Sequence, residues 1–158
     1  MEEYLNILHF CFYKAHYKLH LLANKINPFW LLAQIPFLKK RHEKLGVDVH
    51  KEINKAFGDK TFGISMTVAG GALWGSIAIL FFSLLLIVNI PMMPRVYMII
   101  CVALSAVICY FFVFKNDKYL GYFDKYEKWS QAEKRKYGWL TVAFVIIIFL
   151  LFYLGLTT

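Results

Sequence analysis

FGISMTVAGGALWGSIAILFFSLLLIVNI, residues Phe62–Ile90, contains no Asp, Glu, Lys, Arg or His. A helix needs roughly 20 apolar residues to cross the hydrocarbon core of a bilayer, and this stretch exceeds that. Its surplus can be taken up by tilt or by a first turn lying among the headgroups. Val96–Phe114 follows, equally free of charge and flanked by Arg95 and Lys115. A third run extends from Trp139 to Leu156. Hydrocarbon offers the backbone no hydrogen-bond partner, so each run must satisfy its own peptide groups. Barrel strands are about half this length and alternate in polarity, so the runs read as helices. The expected fold is an all-α integral membrane protein with three transmembrane helices. Asn89-Ile90-Pro91-Met92-Met93-Pro94 is the expected turn of a helical hairpin at 62–114, with spans at 62–90 and 96–114.

The charges are segregated. Of 18 Lys and Arg, ten lie in residues 1–60, one at Arg95, and seven in residues 115–137. Basic segments mark the cytoplasmic side. The N-terminus is therefore expected inside and the C-terminus, after the span at 138–158, outside. The opening Met1-Glu2-Glu3-Tyr4 is acidic where a cleavable signal would be basic, so the first span is expected to act as an uncleaved anchor, as in a bacterial inner membrane. A net charge of +8 suits anionic lipid headgroups, and with no accompanying recognition motif nucleic acid is not an expected partner.

The basic segments are amphipathic. Leu5, Leu8, Phe12, Ala15, Leu19, Leu22 and Ile26 recur at helical steps over residues 4–26. Asn27-Pro28 reads as a cap and first helical position, opening a short apolar segment that Pro36 should kink or end. Residues 4–38 are thus expected to lie in the membrane surface, apolar side down, with Lys39, Lys40 and Arg41 reaching lipid phosphates. The competing reading carries 19–38 across the bilayer. It buries Lys25, at about 3 kcal/mol, together with several polar residues. Leu45, Val49, Ile53 and Phe57 form a further stripe in 42–57, ended by Gly58-Asp59. In the loop 115–137, Tyr119, Tyr122, Phe123, Tyr126 and Trp129 share a helical face, read as headgroup or partner contact.

Candidate chemistry is sparse. His9, His16 and His20 fall along one edge of the first amphipathic helix, a possible metal or pH-sensitive cluster that lacks a full ligand set. Cys101 and Cys109, about 12 Å apart along a helix, cannot bridge. No phosphate-binding loop, nucleophile elbow or CxxC motif is present, so no catalytic, cofactor or metal residue is assigned. Two small-residue strips, Gly71, Gly75 and Ala78 on the first span and Cys101, Ser105 and Cys109 on the second, allow close helix packing, either with each other or with a partner. The expected role is a non-enzymatic membrane-anchored subunit or adaptor, joined to another membrane protein or to its own copy. The alternatives are an immunity or toxin-type membrane protein, a channel-like component and a small membrane enzyme.

Overall fold

The computed structural model describes residues 1–25, 35–44, 46, 48–88 and 93–157, with only the backbone described at 42, 43, 49, 50 and 94. The described residues are helical, with no strand among them. Helix α1 is Glu2–Asn24, α2 Pro36–Lys44, α3 Val49–Gly58, α4 Ile64–Val88 and α5 Pro94–Cys109. A π-helical turn, Tyr110–Phe114, and a 3-10 turn, Lys115–Asp117, lead into α6, Lys118–Glu127; α7 is Gln131–Thr157. Three helical stretches, Ile64–Val88, Arg95–Glu127 and Gln131–Thr157, are long and apolar enough to cross a membrane. The expected cap at Asn27-Pro28, the apolar segment after it and most of the proline turn at 89–94 lie outside the described residues.

The chain divides into two compact units: Met1–Phe12 with Gly70–Thr158, and Tyr13–Ala69. In the first unit, the second apolar stretch does not stop at Phe114. The helical stretch runs on through the 3-10 turn into α6 and breaks direction at Asn116 and Asp117, both left-handed at φ +58° and +51°. Asn and Asp tolerate that conformation better than other residues with a Cβ, because their short side chains can bond locally. Helix α7 starts at Gln131, eight residues before the apolar run that begins at Trp139. Ser130 caps it: its backbone N–H and hydroxyl donate to the Glu133 carboxylate at 2.8 Å, and the Glu133 N–H donates back to the Ser130 hydroxyl at 3.3 Å. This reciprocal arrangement satisfies donors that a helix start otherwise leaves open. Near its other end α7 meets α4 closely. A Cβ on Gly155 would sit 2.9 Å from Leu86 Cβ and 3.1 Å from the Ser83 carbonyl oxygen, so only glycine permits this approach.

The second unit is held by polar contacts. The Tyr13 hydroxyl donates to the Gly58 carbonyl at 2.6 Å. His16 Nδ1 lies 3.0 Å from Ser65 Oγ, and His20 Nε2 lies 3.3 Å from Asn54 Oδ1. The His20 ring also stacks on Phe57, centroids 3.6 Å apart. Pro36 opens α2, the position where its missing N–H costs nothing. Between α3 and α4 the Asp59 carboxylate accepts from the Thr61 hydroxyl and from the Thr61 and Phe62 N–H groups, which hold its carboxyl down to about 2. A side chain on Gly63 would collide with the Asp59 carbonyl oxygen, so this turn requires glycine.

Candidate functional site

The Leu stripe of α1 is the face expected to lie on the membrane surface. The face that packs against the protein is another one. Asn6, His9, Phe10 and Tyr13 are buried, whereas Leu19 and Leu22 are about 60% exposed. The spacing of three and four is the same, but the buried face combines rings with short polar groups.

In the first unit this face packs on α6 and the π turn. The His9 ring lies 5.4 Å from Phe114, 5.6 Å from Tyr119 and 5.2 Å from Phe123, all centroid distances. Phe10 meets Phe123, Tyr126 and Trp129 edge-on at 5.2, 5.6 and 6.1 Å. Edge-to-face pairs at such distances contribute about 0.5–1.5 kcal/mol each beyond their buried area. Trp129 then stacks on Tyr137 of α7 at 4.4 Å. Tyr119 and Tyr126, read from sequence as headgroup or partner contacts, are interior residues. Tyr122 and Trp129 are half-buried. The physical reason is that α1 supplies rings for the stripe to pack against, which the local sequence of 115–137 does not reveal.

Ion pairs edge the aromatic layer. Lys118 Nζ lies 3.0 Å from Glu2 Oε2, and Lys125 Nζ lies 2.8 Å from Glu3 Oε1. The Tyr122 hydroxyl also donates to Glu2 at 3.3 Å, and the Tyr126 hydroxyl donates to the Glu3 carbonyl at 3.3 Å. The lysines are seven residues apart, two helical turns, so both face α1.

Two polar side chains lie inside this layer. The Asn6 amide donates to the Phe112 carbonyl at 3.0 Å and to the Glu2 carbonyl at 2.9 Å. Phe112 belongs to the π turn, whose wider spacing presents carbonyls that an α-helix would use internally. Asn6 Oδ1 and both His9 ring nitrogens are buried with no hydrogen-bond partner among the described residues. Burial pushes the His9 imidazolium down to about 4, so the ring is neutral at pH 7. Gly70 keeps the site compact: a Cβ there would lie 3.1 Å from the Phe114 ring and 3.9 Å from His9 Nε2.

The other sequence candidates separate. His16 and His20 belong to the second unit and are engaged with Ser65, Asn54 and Phe57. No three His, Cys, Asp or Glu side chains cluster among the described residues. Lys39, Lys40 and Arg41 are exposed on α2.

Cys101, Ser105 and Cys109 are buried along one face of α5. Gly71, Gly75 and Ala78 do not pack against them. The buried face of α4 is Met66, Ala69, Leu73 and Ile77, and at 100° per residue the small strip lies about 140–200° around from Leu73. A Cβ on Gly71 or Gly75 would meet nothing within 4 Å. Trp74 links α4 to α5. Its indole N–H donates to the Val102 carbonyl at 3.1 Å, an acceptor shared with the Ser105 hydroxyl at 2.9 Å. An indole N–H left unpaired in an apolar setting is costly, so this bond ties α4 to α5.

No protein-family model, curated protein or solved structure matches the chain. Its reading therefore rests on its own residues. Asn6, Phe10, Gly70, Phe112 and Phe114 escaped the sequence analysis. The available signal was the polar-aromatic period of Asn6, His9, Tyr13, His16, His20 and Asn24.

Proposed function

We propose that the chain is a non-enzymatic subunit or adaptor of a larger membrane assembly. In this reading α4, α5 and α7 cross the bilayer, the basic segments 1–60 and 115–137 face the cytoplasm, and the C-terminal end lies on the opposite side. The charge distribution supports the orientation. The observation that carries the assembly is the strip of Gly71, Gly75 and Ala78, which is turned outward with open space over both glycines. Helices in lipid associate by close backbone packing, and such strips are where a second helix approaches. The aromatic layer and its ion pairs support a preformed platform at one end of the spans.

The test is the mass of the protein extracted from its native membrane in mild detergent. The wild type is expected to migrate with a partner or a second copy, and Gly71→Leu with Gly75→Leu to release it as a monomer with unchanged thermal unfolding. A wild-type monomer that recovers no partner overturns the assignment. A reporter fused after Thr158 that proves cytoplasmic overturns the orientation.

A further inference from the structure

A crevice of about 520 Å³ opens on the first unit, between α1, α4, α5 and α7. Its wall is largely apolar and includes Leu8, Ile77, Phe81, Ile108, Leu140 and Phe144. Its size falls in the range of small-molecule sites, roughly 300–1,000 Å³. Water is a poor occupant, because an ordered water needs two to four polar partners. The polar side chains on the wall are few, and the Thr141 hydroxyl is already committed to the Tyr137 carbonyl at 2.9 Å. The Leu stripe of α1 finds its use here: Leu5 and Leu8, left out of the aromatic layer, line the crevice.

Charge sits at one end of it. Tyr137 lines the crevice, and the Lys136 ammonium lies 5.8 Å from the Tyr137 ring. Lys136 is one turn from Leu140 on the same helix face. Three nearby lysines are engaged: Lys134 donates to the Glu127 carbonyl at 2.8 Å, and Lys118 and Lys125 hold Glu2 and Glu3. Lys136 is exposed, and the carboxylate one turn from it, Glu133, is already bonded to Ser130. We infer that the crevice holds an acyl chain of an anionic phospholipid whose phosphate is met by Lys136. The inference rests on the membrane reading above, under which lipid is the medium at that depth.

The test incubates the detergent-purified full chain with phosphatidylglycerol or phosphatidylcholine vesicles and counts retained lipid by native mass spectrometry. The wild type is expected to keep phosphatidylglycerol in preference to phosphatidylcholine. Leu140→Trp and Leu8→Trp, which fill the crevice, should lose it. Lys136→Gln, an exposed change that spares the fold, should reduce the preference for the anionic lipid about fivefold, the worth of one lysine near a bilayer surface. Val107→Trp, outside the crevice, should bind as the wild type does. Equal retention of both lipids by the wild type overturns the headgroup assignment. Undiminished lipid in a filled variant with wild-type thermal unfolding overturns the crevice. A dimer that the filling changes split, with no lipid retained, assigns the crevice to a second copy and also overturns it. Release from membranes by alkaline carbonate would instead overturn the membrane reading, a failure separable from these.

Discussion

His9 and His16 sit seven residues apart on the same edge of one continuous helix, with His20 a turn further on, and they have different fates. His16 and His20 each reach a polar partner, Ser65 and Asn54. His9 is enclosed by three aromatic rings, with neither nitrogen bonded to a described residue. Helical periodicity put the three histidines on one edge. What packs against that edge made one of them a neutral ring among rings and the other two hydrogen-bonded connectors. A shared face therefore implies shared chemistry only where one neighbour covers all of it.

Removing the enclosure should have the largest effect. Phe123 is fully buried and touches both His9 and Phe10. Phe123→Ala should destabilise the protein by about 3–5 kcal/mol, read by thermal unfolding in detergent, and an unchanged melting temperature would dissolve the distinction between the two regions. The pH dependence is next. His9 binds its proton near pH 6.5 when unfolded and near pH 4 when folded, so the unfolded chain takes up more protons between these values. Stability should be flat above pH 6.5 and fall as the pH drops from there to 4, by about 3 kcal/mol in all. His9→Phe should remove that slope. Glu2 and Asp59, held low by their hydrogen bonds to Lys118 and Thr61, weaken the fold only at more acid pH.

On the polar side of the comparison, Tyr13→Phe removes the bond to the Gly58 carbonyl and should cost about 1 kcal/mol by the same measurement. The smallest effect is expected from Glu3→Gln. Its pair with Lys125 is exposed, so any loss should disappear at high salt, where surface charges are screened. A salt-independent loss would mean that this pair is part of the buried layer and not its edge.

The capping box at Ser130 and Glu133 could have been read in advance, since Ser-x-x-Glu before an apolar run is a local signal for a helix start. The face of α1 was harder. Its leucine stripe and its polar-aromatic stripe share a period, and choosing between them requires knowing that Phe114, Tyr119 and Phe123 are available as partners. The Trp74 bond to the Val102 carbonyl is equally non-local, 28 residues apart in sequence. So is the contact of Gly155 with Ser83 and Leu86, which brings together residues about 70 apart.

The sequence by itself determined that the chain is helical and that three of its stretches are long and apolar enough to cross a membrane. Hydrocarbon length and the self-satisfaction of backbone hydrogen bonds depend only on uninterrupted runs of residues. Tertiary structure alone decided which side of each helix faces inward, because in an apolar setting leucine and lipid are nearly equivalent. The rotation of a helix is then set by ring packing, by close approach at single glycines and by the few donors that must find an acceptor, and all of these come from elsewhere in the chain.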